Sequence, residues 1–187
     1  MKILGGSLKG RNFFMPQGVR PTQDLVRKAL FDILGQELKG VSLIELFAGS
    51  GAVGLEAISR GAKEVIFVEK EPKFAHLLED NLSLLNIKNY DNPTMAYRVF
   101  QDDAFKIIKN LGRQNAKFDI AFLDPPYGRE LAKKSLKTLG EHDILHRNCL
   151  VIAQHDKHEI LPETAGRFFR IREKKYGSSV LTFYEGH

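Results

Sequence analysis

From residue 42 onward, short apolar runs alternate with stretches whose apolar residues recur at helical spacing, and this alternation most constrains the fold. The sequence predicts strands at residues 43–47, 64–68, 97–100, 118–123 and 149–153, with helices at 53–60, 72–85, 104–111 and 131–139 between them. A further helix is predicted before them, at residues 22–34. Crossover helices of this length join parallel strands of one sheet. The sequence therefore predicts an α/β fold built on a mostly parallel sheet.

The C-terminal end breaks the alternation. Predicted strands at residues 168–176 and 180–184 are separated by three residues, too few for a crossover, so they must form an antiparallel hairpin. Together with the parallel strands this gives a seven-stranded sheet. Residues 2–4 and 12–15 flank several glycines and predict a small N-terminal β-hairpin. We expect a single domain over residues 1–187, with the hairpin as an arm at residues 1–20 and the core at residues 21–187.

The composition indicates a cytosolic globular protein. No apolar run reaches the roughly 18 residues that a membrane span needs, and the N-terminus lacks the apolar segment of a signal peptide. The single cysteine, Cys149, excludes an internal disulfide and begins an apolar run, so we interpret it as a small core residue. The six histidines show no ligand or triad spacing, and we place His155 and His158 in a surface loop.

The net charge of +5 is concentrated near the two ends of the chain. Residues 1–20 carry four basic side chains and no acid, and residues 167–175 carry five basic side chains against one glutamate. Focused positive charge is typical of nucleic-acid binders. A solvated surface rich in lysine and arginine explains the same pattern, and charge alone does not decide between the two.

A glycine-rich segment follows the first predicted strand and opens a helix. Gly49, Gly51 and Gly54 match the G-x-G-x-x-G spacing, which lets the backbone approach a ligand at the carboxyl end of a strand. The pattern suits a nicotinamide dinucleotide as well as other nucleotides, and a tight strand-to-helix turn is the plain alternative.

Two acidic positions extend this candidate site. Glu69 ends the next predicted strand and is placed to accept hydrogen bonds from ribose hydroxyls, although it also fits an exposed charged cluster. Asp103 follows the third predicted strand, where its carboxylate could accept from an adenine amino group, cap the following helix, or do both. With the glycine segment, these residues favour a ligand that contains adenosine.

The segment Asp124-Pro125-Pro126-Tyr127 ends the fourth predicted strand. Each proline has a fixed φ and no N–H, so the carbonyls of Asp124 and Pro125 are held in a stiff turn. A carboxylate, rigid carbonyl acceptors and one aromatic face together suit a planar amino group, whose N–H hydrogens bind the acceptors while its base stacks on the ring. A helix-leading turn with a core tyrosine is the alternative.

These residues resemble the S-adenosylmethionine-dependent amino methyltransferases, of which the Asp-Pro-Pro-aromatic motif is the signature. Over nearly the whole chain, the order of motifs is similar to the RsmD family of bacterial small-subunit (16S) ribosomal RNA guanine-N2 methyltransferases. The matching segments are Gly5-Gly6, Lys9-Gly10-Arg11, Arg20-Pro21-Thr22, Phe47-Ala48-Gly49-Ser50-Gly51, Asp124-Pro125-Pro126-Tyr127 and Tyr176-Gly177.

The resemblance implies a Rossmann-like class I methyltransferase fold and assigns roles to particular residues. S-adenosylmethionine is expected at Glu45, Phe47, Ala48, Gly49, Ser50, Gly51, Glu69, Asp103 and Ala104, and the target amine at Asp124, Pro125, Pro126 and Tyr127. The basic N-terminal arm leads us to expect RNA contacts at Lys9, Arg11, Arg20 and Thr22. Glu45 replaces the aspartate that methyltransferases often carry, and Asp103 replaces the asparagine of some relatives. The expected partner is ribosomal RNA or an assembling small subunit, and we expect a cytoplasmic monomer without metal or membrane contact.

Other functions share parts of this pattern. An adenine-N6 DNA methyltransferase has the same Asp-Pro-Pro-Tyr motif, but such enzymes usually add a target-recognition segment for which this chain has no room. A protein glutamine methyltransferase more often has asparagine in place of Asp124. A module that binds NAD fits the glycine segment and leaves residues 124–127 unexplained, and a non-catalytic RNA-binding module explains only the basic ends.

Overall fold

The computed structural model describes residues 1–15, 24–87, 95–128 and 130–187. The helices α1 to α5 are Asp24–Leu34, Ala52–Ser59, Pro72–Leu84, Ala104–Arg113 and Leu131–Glu141. The strands β1 to β8 are Ser42–Leu46, Glu64–Val68, Ala96–Phe100, Phe118–Leu123, Leu145–Asp156, Thr164–Ala165, Phe168–Tyr176 and Ser179–Gly186. The predicted beginning of α1 lies outside the described residues.

The strands form one sheet in the order β3-β2-β1-β4-β5-β8-β7-β6. The first five strands are parallel, and β8 pairs antiparallel with both β5 and β7. The predicted α/β fold with a C-terminal antiparallel hairpin is thereby confirmed. The two-residue β6 pairs with the beginning of β7 and adds an eighth strand that the sequence analysis did not predict. Because β6 is so short, it has no apolar pattern of its own.

Helices cover both faces of the sheet. The apolar residues of α1, α2 and α3 belong to one buried cluster, which also contains Ile3 and Phe13 of the N-terminal segment. The apolar residues of α4 and α5 belong to a second cluster on the other face. Buried strands with both faces covered read as continuous apolar runs, which is why β1, β2 and β4 were recognisable in the sequence.

The N-terminal segment lies against the C-terminal ends of helices. Its predicted hairpin consists of a single antiparallel bridge between Lys2 and Asn12, with hydrogen bonds on either side. The Ser7 N–H donates to the Ser59 carbonyl at the end of α2 (2.7 Å). A Cβ at Gly6 would overlap that carbonyl, so the glycine is required by this close approach. The hydrogen bonds to Ser59 therefore hold the turn of this hairpin against the end of α2.

The strand β5 is longer than predicted, and this corrects one interpretation. His155 lies inside β5 and is 2% exposed, with its Nε2 2.8 Å from Thr182 Oγ1 on β8. The expectation that His155 is a surface residue was therefore wrong, because the pairing of β5 with β8 buries it. Cys149 is buried in β5, as expected of a core residue. Among the described residues, no helix is long and apolar enough to cross a bilayer.

Candidate active site

A cavity of about 740 Å³ opens at the carboxyl ends of the parallel strands. It lies where the strand order reverses between β1 and β4, the position at which open α/β sheets bind ligands. Of the residues predicted to hold the cofactor or the target amine, all except Gly51 line it: Glu45, Phe47, Ala48, Gly49, Ser50, Glu69, Asp103, Ala104, Asp124, Pro125, Pro126 and Tyr127. Four separate strand ends thus bring the predicted residues together.

Two glycines shape the loop between β1 and α2. Gly51 has a left-handed backbone (φ 74°), and a Cβ there would overlap Leu78. A Cβ at Gly54 would overlap the ring of Phe67 and come within 2.8 Å of Glu45 Oε2. Gly51 and Gly54 therefore let α2 pack closely on β2 and α3, whereas Gly49 borders the cavity and has open space where a Cβ would be.

Glu45 is a buried carboxylate that supports this loop. Its two oxygens accept from the N–H groups of Val53 (3.3 Å) and Gly54 (2.7 Å) in the first turn of α2. Burial is the main reason why the pKa of Glu45 is raised to about 8; the two backbone hydrogen bonds oppose this rise, and the nearby carboxylates Asp124 and Glu69 contribute to it. The N-terminal N–H groups that bind pyrophosphate in dinucleotide-binding domains are partly occupied by Glu45 here.

Glu69 connects the glycine loop to the end of β2. Its Oε2 accepts from the Gly49 N–H and its Oε1 from the Glu71 N–H, both at 2.8 Å. A carboxylate has about four lone-pair sites, so two remain for a ligand. The 7% exposure of Glu69 places it within the cavity wall, and the exposed-cluster interpretation is not needed.

Asp103 caps the helix α4. Its Oδ1 accepts from the Phe105 N–H (3.0 Å), and its Oδ2 lies 3.7 Å from Lys70 Nζ. The capping role that the sequence left open is therefore present, and Asp103 still lines the cavity.

An aromatic and cationic wall that the sequence analysis missed lies beside Asp103. The ring of Phe105 meets the edge of Phe47 at a centroid distance of 6.2 Å, and Lys134 Nζ lies 4.1 Å from the centroid of Phe105. Phe47 has a φ of 62°, an uncommon backbone for an aromatic residue and a frequent feature of ligand sites. Met15, Phe74, Leu131 and Gln154 also line the cavity. Only the helix-start position of Phe105, directly after Asp103-Ala104, gave a signal in the sequence.

The Asp-Pro-Pro-Tyr motif (residues 124–127) forms the opposite wall. The Asp124 N–H points to the Leu46 carbonyl (3.4 Å), so the motif begins where β4 leaves β1. The hydroxyl of Tyr127 is 3.2 Å from Ser179 Oγ, at the beginning of β8. The C-terminal hairpin therefore supports the aromatic residue of the motif, which links the antiparallel end of the fold to the site.

Lys9 and Arg11, the two predicted RNA contacts within the described residues, do not line this cavity. Arg11 donates from Nη1 to the Leu85 carbonyl and from Nη2 to the Leu84 carbonyl, both at 3.0 Å, so it binds the C-terminal end of α3. Lys9 is exposed and follows the residues that pack on the end of α2. The eight-residue α2, about 12 Å long, separates this region from the glycine loop. Arg20 and Thr22 lie outside the described residues.

A mostly parallel sheet that ends in an antiparallel C-terminal hairpin, with an Asp-Pro-Pro-Tyr motif at the carboxyl ends of its strands, is the fold of a Rossmann-like methyltransferase, and the comparisons with known proteins show that this methyltransferase uses S-adenosylmethionine. The chain belongs to the family described as Conserved hypothetical protein 95, whose model matches residues 1–185. It is 33% identical to the putative rRNA methyltransferase YlbH of Bacillus subtilis over 99% of this chain and 98% of the relative. It is 30% identical to ribosomal RNA small subunit methyltransferase D of Escherichia coli K12, covering 99% and 89%.

A solved structure supports the same relationship. The structure described as putative methyltransferase yhhF from Escherichia coli has a TM-score of 0.84 at 30% identity, covering 100% of this chain and 98% of that one. The expected family resemblance is thereby confirmed over the whole length of the chain.

Proposed function

We propose that this protein transfers a methyl group from S-adenosylmethionine to the exocyclic N2 amine of a guanine in small-subunit (16S) ribosomal RNA. The observation that carries the proposal is that the Asp-Pro-Pro-Tyr motif faces the glycine loop and Glu69 across one cavity. The names of the relatives, rRNA and small-subunit methyltransferases, support the substrate class. The motif alone could bind the exocyclic amine of adenine equally well, so it does not identify the base.

The charge of the cavity wall fits the proposed cofactor. Six acidic residues line it, Glu45, Glu69, Glu71, Asp102, Asp103 and Asp124, against the basic Lys70 and Lys134. Because the pKa of Glu45 is raised to about 8, Glu45 is mostly protonated at neutral pH and the other five acids carry the negative charge. S-adenosylmethionine supplies the methyl group on a positively charged sulfur, which such a wall attracts. NAD carries an anionic pyrophosphate, which these carboxylates would repel and for which Glu45 already competes at the start of α2.

Different residues of the cavity would bind different parts of S-adenosylmethionine. Glu69 has the free lone pairs to accept from ribose hydroxyls, and Asp103 lies where an adenine amino group could donate to it. The phenyl rings of Phe47 and Phe105 supply an apolar wall for the adenine. Gly49 leaves space for the remainder of the ligand.

The chemical step depends on positioning the amine. The lone pair of an exocyclic amine is delocalised into its base, which makes the nitrogen a poor nucleophile. Asp124 and the Pro125 carbonyl would accept its two N–H hydrogens and favour a pyramidal nitrogen whose lone pair is directed at the methyl carbon. Tyr127 would stack on a base that has been turned out of its helix. These contributions are positioning and electrostatic stabilisation.

We propose that RNA approaches the cavity along β7. The end of β7 at Tyr176 pairs with Ser179, whose hydroxyl contacts Tyr127. Arg172 and Lys174 are exposed on this strand, and within the described part of the chain neither forms an ion pair, so both are available to phosphates. Lys9 and Arg11 remain predicted RNA contacts, as do Arg20 and Thr22, which lie outside the described residues.

We further propose that the chain works as one domain and as a cytoplasmic monomer. Ile3 and Phe13 of the N-terminal segment share the buried cluster of α1, α2 and α3, so the arm predicted at residues 1–20 is at least partly joined to the core. Within the described ranges, no group of three or more histidine, cysteine, aspartate or glutamate residues is arranged to hold a metal ion.

A methyl-transfer assay tests the function. Purified protein with radiolabelled S-adenosylmethionine should label small-subunit particles or their naked RNA, and mass spectrometry of the nucleosides should give N2-methylguanosine. DNA should stay unlabelled. If DNA were labelled and gave N6-methyl-2′-deoxyadenosine, the proposal would be overturned in favour of the adenine methyltransferase. Absence of label together with binding of NAD would overturn the cofactor assignment.

A further inference from the structure

One polar side chain in the cavity has no established role. Gln154 lies on β5, is 3% exposed and lines the cavity. Its Oε1 is buried and receives no hydrogen bond from the described residues. Buried polar atoms in native proteins are nearly always paired with a protein group, an ordered water or a ligand, so an unpaired acceptor at a ligand cavity is a candidate to accept a hydrogen bond from the ligand.

The sheet register places Gln154 beside the target-amine motif. Leu123, the last residue of β4, is paired with Ala153 of β5, so the next residues of the two parallel strands are Asp124 and Gln154. On its other side Gln154 pairs with Leu181 of β8, which fixes its backbone. Gln154 is therefore next to Asp124 across the sheet, beside the residues proposed to hold the methyl acceptor.

We infer that the Gln154 amide oxygen accepts a hydrogen bond from the ring N1–H of the guanine whose N2 amine is methylated, and so helps to select guanine over adenine. This inference rests on the proposed function. In guanine the amino group at C2 is next to N1–H, so the amine and the ring present three hydrogens on one edge. Asp124 and the Pro125 carbonyl account for two, and Gln154 accounts for the third.

Adenine presents a different edge. The ring nitrogen beside its amino group carries a lone pair and no hydrogen, so it gives the Gln154 oxygen nothing to accept. A site built to pair a polar group discriminates strongly against a ligand that leaves that group unpaired. The Asp-Pro-Pro-Tyr motif cannot supply this distinction, because both bases offer it the same amine.

Two substitutions separate recognition from folding. Gln154→Met keeps the approximate length and removes the acceptor, whereas Gln154→Glu keeps an acceptor and loses the amide donor. We expect Gln154→Met to lower kcat/KM for small-subunit particles about tenfold to a hundredfold. Its unfolding midpoint should be equal or higher, because an unpaired buried acceptor has been removed. We expect Gln154→Glu to retain more activity than Gln154→Met.

The control measurements use the same proteins. Calorimetry with S-adenosylmethionine should give the same Kd for wild type and Gln154→Met. A weaker Kd in the variant would overturn the inference, because the amide would then bind the cofactor. Equal kcat/KM for Gln154→Met and wild type would overturn it too. A Gln154→Glu variant no more active than Gln154→Met would also overturn it, since the side-chain NH2 group of Gln154 would then be the group that matters.

An altered substrate tests the named atom directly. The methylated position is first mapped with wild type, and particles are rebuilt with 2,6-diaminopurine there, which keeps the C2 amine and lacks the N1–H. Wild type should lose about tenfold or more in kcat/KM on this substrate, while Gln154→Met should treat the two substrates alike. An equal loss in both proteins overturns the inference. If wild type methylates no small-subunit RNA at all, the proposed function has failed instead, so the two failures are distinct.

Discussion

The two walls of the cavity differ in the hydrogen bonds that their polar groups form within the protein itself. In the glycine-loop half (Glu45, residues 47–51, Glu69 and Asp103), every one of the three carboxylates accepts at least one backbone N–H of a loop or helix start. The Asp124 half (residues 124–127 and Gln154) contains the Asp124 carboxylate, carbonyls fixed by prolines, and the Gln154 amide oxygen, which receives no hydrogen bond from the described residues. The carboxylates of the glycine-loop half therefore also stabilise the local fold, and we expect the groups of the Asp124 half to serve mainly the reaction.

This difference has a consequence for substitutions. Removing a carboxylate from the glycine-loop half should disturb folding and cofactor binding together, because the same oxygens serve both. Removing a group from the Asp124 half should change the reaction and leave cofactor binding intact. The comparison can be tested at each position by measuring stability, cofactor affinity and turnover on the same variant.

The largest effect is expected at Asp124. Asp124→Ala removes an acceptor for the target amine, and we expect kcat to fall by about a hundredfold to ten-thousandfold. The Kd of S-adenosylmethionine from calorimetry should stay within about twofold, because the ribose and adenine groups lie in the other half.

The matched variant in the glycine-loop half is Glu69→Gln. Its amide oxygen can replace only one of the two oxygens that accept from Gly49 and Glu71. We expect weaker cofactor binding and a free energy of unfolding lower by about 1–2 kcal/mol. If Asp124→Ala loses cofactor affinity to the same extent as Glu69→Gln, the functional separation of the two halves is wrong.

The next effect concerns pH and Glu45. Burial raises its pKa from the ordinary 4.5 to about 8. Between about pH 5 and pH 8 the folded protein therefore keeps a proton that the unfolded chain has released, so this residue's contribution to stability falls as the pH rises. The decrease is at most about 5 kcal/mol.

Glu45→Gln has no such proton, and its stability should not show this decrease. The free energies of unfolding of wild type and Glu45→Gln can be measured by urea denaturation from pH 5 to pH 9. As the pH rises, wild type should lose stability relative to Glu45→Gln. A difference that is constant over this range would mean that Glu45 is ionised throughout, with its charge held by the N–H groups of Val53 and Gly54.

The packing of the glycine loop gives a smaller effect. Gly54→Ala forces a Cβ against Phe67 and Glu45, and we expect a loss of about 1–3 kcal/mol in unfolding free energy. Gly112→Ala in α4 is the control, because its Cβ would meet His142 and Ile144 at an ordinary 3.6 Å. That variant should be more stable by about 0.5–1 kcal/mol. Equal stability changes would show that the glycine-loop half tolerates repacking and is less rigid than the contacts indicate.

The sequence predicted those features that are determined by residues close together in the chain. The apolar runs of β2 and β4 and the charged strand β7 have the predicted bounds, since each is limited by turn residues on both sides. The residues of the glycine-loop half also follow strands directly, and the carboxyl ends of parallel strands meet at one edge.

Contacts between distant segments could not be predicted in this way. The burial of His155 depends on Thr182, and the position of Gln154 depends on the pairing of β5 with β4 and β8. Arg11 donates to carbonyls more than 70 residues away, and its charge alone did not indicate these contacts. In α1 the core face includes Val26, whereas Leu25 is 62% exposed. One position along a helix changes the direction of a side chain by about 100°, which a short apolar pattern does not resolve.

The smallest effect concerns the surface along which the RNA binds. It tests whether the RNA reaches the Asp124 half along β7 or binds the N-terminal segment. Lys174 lies on β7, the strand whose end contacts Tyr127 through Ser179, whereas Lys9 lies at the far ends of α2 and α3. Binding of small-subunit RNA measured over a series of salt concentrations should show a slope lower by about 1 for Lys174→Gln, because one phosphate contact is lost. Lys9→Gln should keep the wild-type slope if RNA enters along β7. A reduced slope for Lys9→Gln with an unchanged one for Lys174→Gln would place the RNA on the N-terminal segment, and the sequence-based prediction would then describe the interface better than the proposed route.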